Sequence, residues 1–196
     1  MFSNATMWLH GLAGAAVLGF YWRTLLLPKG SLAHRRTGRR YLLLLVPLLL
    51  SVVPITLAAV RDAGPARVLQ LVYLALVVAT AGWTAWRAVR DRGDVARFRG
   101  PVFRVLAVAL FGAGLALMVV GVARSSTLTL GFSVIGIVYG GAMLAFLGRP
   151  ADDGWWLLRH LNGVALLFAA THASFVGLLF RHALPGSAGE TMHALT

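Results

Sequence analysis

Four histidines are the residues of this chain whose type and placement could do chemistry within an apolar environment: His10, His34, His160 and His172. A neutral imidazole offers a lone pair to a metal and moves protons near neutral pH. No carboxylate joins them, because Asp62, Asp91, Asp94, Asp152, Asp153 and Glu190 all fall between the apolar runs or in the tail. That leaves no embedded acid–base pair for hydrolysis and no midplane acid for proton- or sodium-coupled transport. Cys is absent, which excludes disulfides, thiolate nucleophiles and Cys-ligated metals. No catalytic residue is therefore assigned.

His10 lies toward the outer end of the first apolar run and His172 in the outer half of the last. Taking helix midpoints near Ala16 and Phe168, their depths differ by only a few ångström at about 1.5 Å rise per residue. Small residues flank both, Gly11 and Gly14 for one, Ala169 and Ala173 for the other. Two imidazoles at equal depth on facing helices suit axial ligation of a haem iron, with haem b the expected cofactor. His34 and His160, at the cytoplasmic interface, would form a second cofactor-binding pair beneath the first. The spacing from His160 to His172 turns these two about 120° apart on a helix, which weakens that stack. The competing reading makes all four structural, bonded to helix backbones or set among lipid phosphates. His182 and His193 near the tail read as solvated.

The elements that position these residues follow from composition. With 59% hydrophobic and 12% charged residues, and a mean hydropathy of +0.79, the chain carries more apolar side chain than a water-soluble domain of 196 residues buries. Its solvent is a bilayer. Apolar runs predict transmembrane helices over residues 5–27, 41–60, 68–89, 102–123, 127–147 and 155–180, each long enough for roughly 30 Å of hydrocarbon. The expected fold class is all-α, an integral membrane six-helix bundle in one membrane domain. Before the first run there is no basic segment or small-residue cleavage site, so it reads as a retained helix and not a signal peptide.

Prolines punctuate the runs. Pro28 ends the first. Pro47 and Pro54 lie inside the second, where a kink is expected and Ser51 is available for part of the lost backbone bonding. Pro101 suits a first helical turn, and Asp152 and Asp153 read as caps of the last helix.

Loop charge sets orientation. Lys29, Arg35, Arg36, Arg39 and Arg40, with Arg23 just before, fall on one side together with Arg87, Arg90, Arg92, Arg97, Arg99 and Arg104, then Arg149 and Arg159. The other side has Arg61, Arg67, Arg124 and Arg181. The positive-inside rule places both the N-terminus and the C-terminus on the outer, periplasmic side. Trp22, Trp83, Trp86, Trp155 and Trp156 then fall near the cytoplasmic interface and Trp8 near the outer one, as an aromatic belt requires. The net charge of +12 sits in short loops, so anionic lipid headgroups at the cytoplasmic face are the expected partners, and nucleic acid is not. Abundant Arg, Ala and Gly suit a GC-rich bacterial genome, and the expected location is the bacterial cytoplasmic (inner) membrane, multi-pass. Small residues at four-residue spacing, Gly11-Ala15-Gly19, Gly136-Gly140 and Ala165-Ala169-Ala173-Gly177, predict close helix approach, within the monomer, at a dimer face or around a flat cofactor.

His10 followed by Gly11, then Leu32-Ala33-His34-Arg35-Arg36-Thr37-Gly38-Arg39-Arg40-Tyr41, then Gly93-Asp94-Val95-Ala96-Arg97-Phe98-Arg99, resembles a widespread family of bacterial predicted membrane proteins of unknown function. The entry Trp155-Trp156-Leu157-Leu158-Arg159-His160 is similar to relatives of that group. The similarity covers about the first two thirds of the chain plus this entry, and Phe98 stands where the family often has a further histidine. The resemblance implies a polytopic helical bundle without an established activity; a weaker similarity to b-type cytochrome bundles implies haem. Two functions are expected from these readings. One is a non-catalytic accessory or assembly subunit with membrane-protein partners; the alternative is a b-type cytochrome-like or quinone-linked electron-transfer protein with bis-histidine haem ligation.

Overall fold

Long apolar runs in hydrocarbon must satisfy their backbone groups internally, and helices do so within one segment. The computed structural model describes residues 4–183, and all regular structure among them is helical. The order is α1 (Asn4–Leu26), α2 (Leu32–Asp62), α3 (Pro65–Arg90), α4 (Val95–Phe98), α5 (Pro101–Ala123), α6 (Thr127–Gly148) and α7 (Trp155–Ala183). Four of these, α2, α3, α5 and α6, are long and apolar enough to cross a membrane; α1 and α7 match them in length. The protein is an all-helical membrane bundle, and its outer faces carry exposed large apolar side chains such as Leu50, Val105 and Val119. Glu190 and His193 lie outside the described residues, as does the side chain of His182.

α3 is the hub. It packs against α2, α5 and α7, while α1 lies along α2 and touches α7 only briefly, and α5 pairs with α6. The α5–α6 pair is close because its contact is made of glycine. A Cβ at Gly140 would stand 2.7 Å from the Phe111 nitrogen, and one at Gly114 2.8 Å from that of Ile137. Tyr73 of α3 locks onto α6, its hydroxyl donating to the Phe132 carbonyl at 2.6 Å and accepting from the Gly136 N–H at 2.8 Å.

The basic stretch expected to be a loop before a helix at 41 is helical from Leu32. Ser31 caps it, accepting from the His34 backbone N–H at 3.1 Å. His34, Thr37, Gly38 and Tyr41 recur at helical spacing, and Thr37 and Tyr41 are buried, whereas Arg35, Arg36, Arg39 and Arg40 are exposed. The charges were a solvated helix face, which hydropathy alone reads as a loop. The next basic segment also contains a turn of helix, α4, whose N-cap Asp94 accepts from the Arg97 N–H at 2.9 Å. Two smaller expectations are corrected. Proline frees the carbonyl four residues before it, here Leu43 and Leu50, yet Ser51 donates instead to the Leu48 carbonyl at 2.6 Å. At the start of α7, Asp152 offers its main-chain carbonyl to the Trp155 N–H at 3.1 Å.

Candidate functional site

Each of the four histidines is held by Nδ1, and each by a different element. His10 of α1 meets Ser51 Oγ on α2 at 2.7 Å. Because the Ser51 proton goes to Leu48, the hydroxyl accepts and His10 donates from Nδ1. His34, at the start of α2, lies 3.1 Å from the Thr24 carbonyl of α1, and His160 of α7 lies 2.8 Å from the Ala85 carbonyl of α3. A carbonyl only accepts, so Nδ1 carries the proton in both and Nε2 keeps its lone pair. His160 reaches α3 because Gly163 lets the helices close, a Cβ there falling 2.8 Å from the Ala81 oxygen.

His172 differs. Its Nδ1 donates to the Phe168 carbonyl at 2.8 Å, and its Nε2 accepts from Trp22 Nε1 at 3.0 Å. Both ring nitrogens are occupied, and the imidazole packs against Phe168 with ring centroids 3.9 Å apart and against Tyr21 at 5.7 Å.

The geometry does not bring His10 and His172 to one iron. His172 sits at Trp22, twelve residues beyond His10 on the same helix, which is roughly 18 Å of helix; metal–imidazole bonds run to only about 2 Å. The equal-depth estimate treated the helices as upright rods with level midpoints. In the fold α7 is set by its long contact with α3 and meets α1 over a short one. Nor are His34 and His160 joined, one being turned to α1 and the other to α3. Among the described residues no group of three or more His, Asp or Glu side chains gathers to hold a metal ion.

Sequence reasoning missed an aromatic and basic cluster at the Arg90 end of α3. Phe98 and Phe103 are fully buried against Phe146, Trp83 and Trp155. The guanidiniums of Arg99 and Arg159 face the Phe146 ring, with Cζ at 4.0 and 4.1 Å from its centroid. Asp91, placed between apolar runs as expected, caps the end of α3 and is buried, pairing with Arg87 at 2.5 Å and lying 3.6 Å from Arg97 Nε. Beside the cluster, a cleft of about 250 Å³ opens between the α3–α4 and α6–α7 connections, lined by Arg92, Asp152, Asp153 and Trp156 among others. The available signal was Phe98: an aromatic residue inside a basic segment has a reason to fold inward.

No protein-family model matches the chain, and neither curated proteins nor solved structures give a significant match. The residues themselves carry what can be said of function.

Proposed function

We propose that this chain is a six-span bundle of a bacterial cytoplasmic membrane, with both termini outward, acting as a non-catalytic accessory or assembly subunit of a larger membrane complex. α1, α2, α3, α5, α6 and α7 supply the spans. The observation that carries the reading is the unequal fate of the small-residue stripes. Gly136 and Gly140 are filled from within the chain, whereas Gly11, Ala15 and Gly19 of α1 are exposed and nothing approaches Gly11 or Gly19 within 4 Å. In lipid such a face favours close packing of another helix. The histidines support the non-catalytic part, since the Nδ1 bonds of His10, His34 and His160 and the Nε2 bond of His172 tie helices together in four separate places.

A photo-crosslinking side chain at Ala15, activated in native membranes, tests the partner. An adduct with a different membrane protein is expected; adducts only with lipid or with a second copy of this chain sink the reading. Orientation is tested separately, because the chain lacks cysteine. Ser125→Cys should react with an impermeant thiol reagent from outside, and Gly93→Cys only after the membrane is opened.

The second reading, haem b as a bound cofactor, rests on the free Nε2 of His10, His34 and His160. A backbone or hydroxyl acceptor on Nδ1 is the support that ligating histidines commonly have. It requires a pairing other than His10 with His172. A reduced-minus-oxidised spectrum without Soret and alpha bands, from protein made with haem supplied, rejects it.

A further inference from the structure

Four arginines gather where the α4–α5 turn, the end of α6 and the start of α7 meet. Arg104 Nε donates to the Arg99 carbonyl at 3.2 Å, and Arg99 Nη2 donates to the Arg149 carbonyl at 2.8 Å. The Arg99 side chain is thus held by the Arg149 main-chain carbonyl and not by an acid. Both it and Arg159, from a different helix, face the one Phe146 ring, which is only 6% exposed.

Like charges brought together at the edge of a low-dielectric core repel, and the ring face offsets part of that. Among the described residues neither guanidinium has a carboxylate at ion-pair distance; the buried Asp91 pairs with Arg87 and Arg97. Arg99 Nε is also buried without a hydrogen-bond partner, although buried donors are nearly always matched. An anion with several acceptor oxygens would neutralise the pair and supply the missing acceptor. A guanidinium fork matches the oxygens of phosphate in two parallel bonds.

We infer that Arg99 and Arg159 form a binding site for a phosphate group, carried by a phospholipid headgroup or by a soluble phosphate ester. Arg104, bonded to the Arg99 carbonyl, adds positive charge beside it, and the Phe146 ring lies against both guanidiniums. The lipid source rests on the membrane placement proposed above, since a basic pocket between helices at the cytoplasmic face meets anionic headgroups; the soluble source does not.

The test uses the full chain in phosphatidylcholine nanodiscs, following thermal unfolding as phosphatidylglycerol replaces part of the lipid or as inorganic phosphate is added at constant ionic strength. Stabilisation by phosphatidylglycerol alone assigns a headgroup, and stabilisation by inorganic phosphate assigns a soluble ester. Arg99→Gln and Arg159→Gln should each weaken the apparent affinity about tenfold, the loss of a charge-assisted bond, while the Arg35→Gln/Arg36→Gln variant retains it. Arg159→Lys, which keeps the charge and loses the fork, should fall between, and it stands in if a Gln variant loses its helical circular dichroism. No stabilisation of the wild type by either probe overturns the site. So does full stabilisation of Arg99→Gln/Arg159→Gln, or an equal loss in Arg35→Gln/Arg36→Gln, which would mean diffuse surface attraction. None of these readouts involves a partner subunit, so this site and the accessory role fail independently.

Discussion

The Trp22 indole donates Nε1–H to His172 Nε2 at 3.0 Å, linking α1 to α7 across 150 positions of chain. The same imidazole gives its Nδ1 proton to the Phe168 carbonyl. A histidine that looked like a metal ligand is, in the fold, a neutral bridge with no free nitrogen. Trp22→Phe keeps most of the ring packing and removes the donor. It should lower stability by about 0.5–1.5 kcal/mol, toward the lower end in a membrane, where side-chain bonds between helices average about 0.6 kcal/mol. Reversible unfolding in detergent measures this, and a loss no greater than that of a distant lipid-facing substitution such as Val119→Ala would count against the bridge.

The glycines of α6 and α1 should respond oppositely. Gly140→Ala puts a methyl 2.7 Å from the Phe111 nitrogen, where backbone cannot yield cheaply, and overpacking of that kind costs about 1–3 kcal/mol. Gly11→Ala meets nothing within 4 Å and gains helix propensity of up to about 1 kcal/mol. In the purified chain it should therefore be neutral or stabilising. Comparing the two melting temperatures decides; destabilisation by Gly11→Ala would place another helix on that face even in the isolated protein.

Tyr73→Phe tests the junction of α3 with α6. The hydroxyl both donates to Phe132 and accepts from the Gly136 N–H; these two groups are also i and i+4 partners in the α6 ladder, so its removal takes away the α3–α6 bonds and leaves them bonded to each other. The expected loss is about 0.5–1.5 kcal/mol. Faster hydrogen exchange at the Gly136 amide should accompany it, and unchanged exchange there would refute the assignment.

Asp91→Asn tests whether the buried carboxylate organises the α3–α4 connection. Its side chain has no exposure and pairs with a partly exposed Arg87. Replacing charge by amide should cost about 1–3 kcal/mol, whereas Asp152→Asn, at an exposed position, should fall within about 0.5 kcal/mol of wild type. Equal effects in chemical unfolding would reduce Asp91 to an ordinary surface charge.

The helix content and the membrane class were legible in the residue order, because hydrophobic run length is a local property. Starts at residues 101, 127 and 155 were also readable from the turn signals that precede them. The helical character of Leu32 to Arg40 was not, since hydropathy averages over a face and the buried positions there, Thr37 and Tyr41, are not aliphatic. Which small-residue stripe is filled and which stays open depended on which helix lies opposite, as did the choice of Trp22 for His172. So did the meeting of Arg99 and Arg159 at Phe146, residues distant in sequence that looked only like topology signals. Charge placed along a chain sets the side of the membrane; only packing α3 among α2, α5 and α7 sets which charges must share one ring, because helix neighbours and relative heights are fixed by side-chain fit between segments.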